Sequence, residues 1–201
     1  MDVETTKTRS KRIRRTEDQM VNDMTILVNN QNLSYGTKFF ALNNTIWNWT
    51  ERFGKYEGCK DPERPGCPYW SSAALAEVAK LGIRRNVSKH LRHEHIVPRI
   101  LMIDWILGTE DKPGPQWTKE KMQDLFKRYC IGVVVTKNED DEKFKHELKK
   151  SMPLSWELGG CSWARYAEAQ IEVKEARVTW GKGKFNVEPR NVLVFSWRSP
   201  N

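Results

Sequence analysis

The segment 130–136, Cys-Ile-Gly-Val-Val-Val-Thr, constrains the fold more than any other part of the chain. It is short, rich in β-branched residues and bounded on both sides, so it predicts a buried strand. Before it, Thr118 can cap a helix that runs to about Tyr129 with apolar residues at helical spacing. After it, Asn138 can cap another helix, from Glu139 to about Lys150. The pattern predicts a strand between two helices.

Two more helices are predicted upstream. Ser71 and Ser72 can cap the segment 73–82, which contains strong helix formers and ends in a glycine. Pro98 can begin a largely buried helix that continues to Leu107, because proline is tolerated in the first helical turn. Gly108 supplies the stop signal for that helix.

The C-terminal part has the pattern of paired strands. Segments 171–180 and 185–197 are strand-like, and the Gly-Lys-Gly-Lys sequence at 181–184 joins them, which predicts a β-hairpin. Segment 20–50 contains apolar clusters with Asn-rich joins and favours neither helix nor strand. The predicted fold class is therefore α+β.

Length and composition favour one folded domain over residues 19–201. The chain has 201 residues, enough for a substantial core, and nine Trp, seven Phe and five Tyr supply large apolar surfaces. Residues 1–18 are polar and basic without periodicity. We expect them to form a flexible arm that either lies on nucleic acid or is simply solvated.

The net charge of +8 indicates an anionic partner, because clustered Lys and Arg gain affinity by releasing counterions from phosphates. The most apolar run, 96–107, is interrupted by Arg99 and Asp104 and is shorter than the roughly 20 residues of a membrane span. No apolar stretch follows the N-terminal charges, so a secretory signal is not expected. We therefore expect a cytoplasmic protein without a membrane partner.

The cysteines do not form a Cys-x-x-Cys zinc motif. Cys59 and Cys67 flank a charged, proline-containing loop and could pair or bind structural zinc. Reduced thiols are the expected state in the cytosol.

The sequence His93-Glu94-His95 is the strongest candidate for a reactive site. Phosphodiester hydrolysis requires a base to deprotonate water and a cation to stabilise charge on phosphate oxygens. A neutral histidine suits the base role, and carboxylates suit a hard cation such as Mg²⁺. Neighbouring side chains of a strand face opposite sides, so Glu94 and His95 must lie near a strand end or turn to act together. The acidic cluster 138–142, after the predicted strand, is the best source of a second carboxylate.

Glu94-His95-Ile96-Val97-Pro98 resembles the first motif of HNH (His-Me finger) endonucleases, and 134–140 is similar to their closing strand-to-helix segment. The resemblance covers about residues 90–150 and implies a ββα-metal-like core surrounded by helices. It implies that His95 is the general base, that Glu94 is a metal ligand, and that Asp140 replaces the family's final metal-binding histidine. The implied activity is metal-dependent hydrolysis of nucleic acid, with Mg²⁺ as the cofactor and DNA rather than RNA as the substrate.

Basic side chains surround the motif and could hold phosphates. The candidates for nucleic-acid binding are Arg84, Arg85, Lys89, Arg92 and Arg99, with Lys182 and Lys184 at the hairpin tip. Additional candidates for the site are His93, Asn138 and His146.

Simpler interpretations remain open. The histidine motif could be an exposed polar turn, or His90, His93 and His95 could bind a transition metal. The acidic cluster could be only a solvated helix start. A nucleic-acid-binding or regulatory protein without catalysis, and an inhibitor module that binds a protein partner, are the two alternative functions.

Overall fold

The computed structural model describes residues 16–54, 67–80, 87–109, 111–181 and 184–195. Eight α-helices are assigned within these ranges: α1 Glu17–Asn29, α2 Tyr35–Gly54, α3 Ser72–Lys80, α4 Val87–His90, α5 Arg99–Leu107, α6 Lys119–Tyr129, α7 Lys145–Leu148 and α8 Ala164–Glu168. The strands are β1 Tyr69–Ser71, β2 Leu91–His95, β3 Gly132–Thr136, β4 Val173–Gly181 and β5 Lys184–Phe195, and a π-helix spans Glu139–Lys143. The predicted α+β class is confirmed.

The five strands form one mixed sheet in the order β2-β3-β1-β4-β5. β3 runs antiparallel to β2, with His95 opposite Gly132, and parallel to β1, with Trp70 opposite Val134. β4 pairs antiparallel with both β1 and β5. The predicted antiparallel pairing of the last two strands is therefore confirmed.

β3 is the buried strand that its composition predicts. Its first four residues are buried, and it lies between β2 and β1 with helices packed on it. Val133 and Val135 belong to the main hydrophobic core, whereas Val134 packs in a smaller cluster with Trp70 on the other face. Burial on both faces explains the unbroken apolar run, since neither face meets water.

The segment 20–50, which the sequence leaves undecided, forms the two helices α1 and α2. In α1 the buried residues Met20, Met24 and Val28 recur every four positions and face the core. α1 begins at Glu17, after a capping box formed by Thr16 and Gln19. The last residues of the expected basic arm are therefore helical.

The capping signals predict three helices correctly. Ser71 Oγ accepts from the Ala74 amide at 3.0 Å and caps α3. Thr118 Oγ1 accepts from the Lys121 amide at 3.3 Å and caps α6. α5 begins directly after Pro98 and ends at Gly108, whose φ of 69° suits glycine.

The single helix predicted from Glu139 to Lys150 with Asn138 as its cap is wrong. The segment is divided into the π-helix and α7, with the buried Phe144 between them. Asn138 has helical backbone angles and makes no capping bond, whereas Thr136 Oγ1 accepts from the Glu139 amide at 3.0 Å. The strand's last residue thus supplies the cap.

Several predicted features lie outside the described residues: most of the N-terminal arm, the Cys59 side of the proposed cysteine pair, and Arg84, Arg85 and Lys182. Cys67 is a buried thiol. In the part of the chain that is described, no helix combines the length and apolar character needed to cross a membrane.

Candidate functional site

A cleft of about 240 Å³ with polar and apolar walls opens where β2 ends. One wall comes from α2 and contains Phe39, Asn43 and Trp47. The facing wall comes from the end of β2 and the start of α5, with His93, Glu94, His95, Pro98 and Arg99. Lys149, Lys150 and Arg165 close the third side. The cleft thus combines carboxylate, imidazole, amide and cationic groups.

His95 is the last residue of β2 and is only 5% exposed. Its Nε2 lies 3.0 Å from Thr50 Oγ1. Thr50 Oγ1 also lies 3.1 Å from Trp47 O and 3.3 Å from Ile46 O, so its single proton can go either to a helix carbonyl or to His95 Nε2. The contact with Thr50 fixes the orientation of the His95 ring, and the tautomer of the ring depends on which role the hydroxyl takes.

The environment of His95 also keeps the ring neutral. Burial lowers its pKa well below the ordinary value of 6.5, and the nearby charges of His93, Arg99 and Arg165 lower the pKa further. A neutral imidazole at cellular pH is the state that a general base requires.

Glu94 is fixed by Arg165 from a distant part of the chain. Arg165 Nη2 donates to Glu94 Oε2 at 2.9 Å, and the side chains are 1% and 26% exposed, respectively. Burial raises the pKa of Glu94, and the Arg165 charge partly opposes that rise. The charge of Asp140 raises the pKa of Glu94 as well, so the two carboxylates interact electrostatically.

Arg165 also holds the backbone on both sides of the cleft. Its Nη2 donates to His95 O, and its Nη1 donates to Leu148 O at 3.0 Å. The guanidinium lies 4.3 Å from the ring centroid of Phe144. A buried guanidinium with these partners links the end of β2 to α7, and so it positions Glu94 and His95 together.

The acidic cluster after β3 has three different roles. Glu139 is buried and accepts from Ser71 Oγ at 2.6 Å and from the Thr136 amide at 2.9 Å. Asp141 accepts from Lys149 Nζ at 3.2 Å. Asp140 is half-buried and is the carboxylate whose charge acts on Glu94. Glu139 is therefore structural, whereas Asp140 does not line the cleft and is connected to it through the effect of its charge on Glu94.

Aromatic contacts shape the cleft on the α2 side. The Trp47 ring lies 5.7 Å from the His93 ring and 5.8 Å from the His95 ring, measured between centroids. The Arg99 guanidinium lies 4.8 Å from the Trp47 centroid. His93 packs so closely on β3 that a Cβ at Gly132 would be 2.1 Å from its Nε2. A side chain at Gly132 would therefore collide with the His93 imidazole, which reaches it diagonally from β2.

The structure brings together four of the predicted residues, His93, Glu94, His95 and Arg99. Lys89 and Asn138 instead line a second cleft with His90 and Glu77. Arg92 donates to Leu91 O at 3.1 Å. The side chains of His146 in α7 and Lys184 in β5 are outside the described part of the structure.

Sequence reasoning missed the residues that other elements bring to the site, among them Thr50, Trp47, Lys149 and Arg165. Each comes from an element far along the chain from His95, and no local spacing connects them. A buried arginine in a short helix gives no signal in one sequence, since arginine is usually exposed.

The carboxylates fit a hard divalent cation by their donor chemistry. Mg²⁺ commonly binds to one or two carboxylates and keeps several waters, so carboxylates are the ligands that it would need here. Glu94 is the carboxylate that lines the described cleft, and its Oε2 accepts from Arg165. Among the described residues, no group of three or more His, Cys, Asp or Glu side chains is placed to hold a metal ion.

Comparison with known proteins gives no match to a family model, to a curated protein or to a solved structure.

Proposed function

We propose that this protein is a metal-dependent endonuclease that hydrolyses phosphodiester bonds of nucleic acid, DNA rather than RNA, in the cleft at the end of β2. One observation carries the proposal: a neutral histidine, oriented by Thr50, and the carboxylate next to it in the sequence line the same cleft, which cationic side chains also line. These are the groups that hydrolysis of a polyanion requires.

In the proposed reaction, His95 Nδ1 takes a proton from water as the water oxygen attacks phosphorus. The bond from phosphorus to the leaving oxygen breaks, and solvent returns a proton to that oxygen. In this reaction Thr50 Oγ1 accepts a hydrogen bond from Nε2–H of His95 and so orients the ring. Lys149 and Lys150, which line the cleft, bind the phosphate oxygens, and the charge of Arg99 attracts them.

In this proposal, Glu94 and Asp140 are the two carboxylates that would hold the divalent cation. A bound Mg²⁺ stabilises negative charge on the phosphate and on the leaving oxygen. Arg165 favours the ionised form of Glu94, because the guanidinium opposes part of the rise in the pKa of Glu94 that burial causes.

The chain order is consistent with the HNH resemblance. β2 and β3 are antiparallel neighbours, and the π-helix and α7 follow β3, which gives a strand-strand-helix order. Helices α5 and α6 occupy the connection between the two strands. This order supports the part of the proposal that describes a ββα-metal-like core, with a long insertion between its two strands.

A cleavage assay on plasmid DNA, with RNA in parallel and a panel of divalent ions, tests the proposal. We expect His95→Ala to slow cleavage by about 10²-fold or more, because a general base contributes about 10²–10⁴-fold. His90→Ala is the matched control, because His90 pairs with Glu77 at 2.9 Å in the second cleft. A folded His95→Ala protein that cleaves as fast as the His90→Ala control would contradict the assignment of His95 as the general base.

The second candidate is a nucleic-acid-binding protein without catalysis. It is favoured by the Arg165 contact, which already neutralises one oxygen of the only carboxylate that lines the described cleft. This function predicts strongly salt-dependent DNA binding and no cleavage by the wild-type protein with any ion of the panel.

A further inference from the structure

One face of α2 forms the aromatic wall of the cleft. Phe39, Asn43 and Trp47 follow one another at four-residue intervals, so they lie one above the other on the same side of the helix. The wall is about 12 Å long at 1.5 Å per residue. An amide between two aromatic rings is suited to flat, polar-edged ligands.

Asn43 differs from its neighbours on the same helix. Asn44 donates through Nδ2 to Phe40 O at 2.8 Å, and Asn48 donates to Asn44 O at 2.7 Å. Both are exposed and bond to their own helix. Asn43 is half-buried in the cleft wall, and its side chain makes no hydrogen bond to another described residue. Its amide is therefore available to a ligand in the cleft.

Trp47 is half-buried, but it is not one of the aromatic residues packed against the hydrophobic core of the described structure. Its ring neighbours are His93, His95 and the guanidinium of Arg99. Nucleobases stack on both aromatic rings and arginine planes. The Trp47–Arg99 pair therefore offers a stacking surface.

The size of the cleft limits what can enter. Its volume of about 240 Å³ is smaller than the roughly 300–1,000 Å³ of pockets for drug-sized ligands. One base fits this scale better than a base pair. In a duplex, neighbouring bases cover the ring faces and the partner strand occupies the pairing edge, so only an unpaired base can enter.

We propose that the cleft binds one unpaired nucleotide of single-stranded nucleic acid. Its base stacks on the Trp47–Arg99 pair, its edge accepts or donates a hydrogen bond at Asn43, and its phosphates meet Lys149 and Lys150. This inference rests on the proposed function, because it names the strand state of that site's substrate. The preferred substrate is then single-stranded, or a duplex with a locally unpaired base.

The test measures fluorescence anisotropy of labelled oligonucleotides with the full chain in EDTA, so that no cleavage occurs. The probes are a mixed-sequence single strand of DNA, the same strand as RNA, its duplex form, and a DNA strand with abasic sites. We expect tighter binding to the DNA or RNA single strand than to the duplex, and weaker binding to the abasic strand.

The variants separate base recognition from charge. Trp47→Leu should weaken single-strand binding by roughly 5- to 150-fold, the range of one lost stacking contact. Trp47→Phe retains an aromatic ring and should keep most of the affinity. This variant keeps the inference testable if the leucine variant misfolds. Asn43→Ala should weaken binding, whereas Asn44→Ala, the matched control, should not.

Equal binding of the duplex and the single strand, equal binding of the abasic strand, or full affinity in Trp47→Leu would each overturn the inference. These results do not depend on cleavage. If Trp47→Leu cleaves duplex DNA normally, the proposed function stands and this inference fails. If the wild-type protein binds single strands in a base-dependent way but cleaves nothing, this inference stands and the proposed function fails.

Discussion

Removal of Arg165 should destabilise the fold more than removal of any exposed arginine. In Arg165→Met the side-chain volume is roughly kept, but Glu94 loses a partner at 2.9 Å. Breaking a buried ion pair by deleting one partner costs about 3–5 kcal/mol. His95 O and Leu148 O also lose their donor. These costs overlap, and Glu94 keeps some contact with water, so we expect about 3–5 kcal/mol in total.

The measurement is urea-induced unfolding, monitored by circular dichroism. The loss in the free energy of unfolding is calculated from the shift in the urea midpoint. Arg190→Met is the matched control, because Arg190 pairs with Glu175 at 2.7 Å but is 59% exposed. An exposed pair contributes about 0–1 kcal/mol. Adding Glu94→Gln to Arg165→Met should recover part of the loss, because the buried charge is then removed as well.

The pH dependence supplies a second check. Without Arg165, the pKa of Glu94 should rise further, and the folded state then binds a proton more tightly than the unfolded state. Protonation of Glu94 then stabilises the folded state, so the stability deficit of Arg165→Met should shrink as pH falls through the raised pKa of Glu94. A loss below about 1 kcal/mol, equal to that of Arg190→Met, would refute the positioning role of the Arg165 guanidinium.

Two further predictions concern the histidines of β2. The lowered pKa of His95 means that the unfolded state binds its proton first, so stability should fall as pH drops below 6.5. His95→Gln should remove that part of the pH dependence in urea midpoints, and an unchanged profile would contradict a buried neutral ring. Gly132→Ala should cost about 1–3 kcal/mol by displacing His93. Thermal unfolding should show a smaller cost when His93→Ala is also present, and equal costs in both backgrounds would argue against the clash.

The main elements and part of the site could be predicted because their signals are local. Thr118 caps α6 through an amide three residues away, and Gly108 ends α5 by its own backbone angles. The proximity of Glu94 to His95 follows from their adjacency at a strand end. Each of these depends on a few consecutive residues, which one sequence displays directly.

Local sequence patterns did not predict the features that depend on tertiary packing. Thr136 caps the segment after β3 in place of Asn138, because the strand end places its hydroxyl at the Glu139 amide. The short strand β1 carries little signal of its own and exists because it lies between β3 and β4. Burial among neighbouring strands, rather than propensity, fixes such a short element.

The sequence by itself determined the mixed class, the buried strand β3, the ends of α5 and α6, and the histidine–carboxylate pair. Only the tertiary structure decided what acts on that pair. Arg165 is 71 residues from Glu94 along the chain, yet the two side chains are hydrogen-bonded. Thr50 is 45 residues from His95, and these two side chains are also hydrogen-bonded. The physical reason is that ion pairs and hydrogen bonds depend on distance in space, and the sheet and its packed helices set that distance.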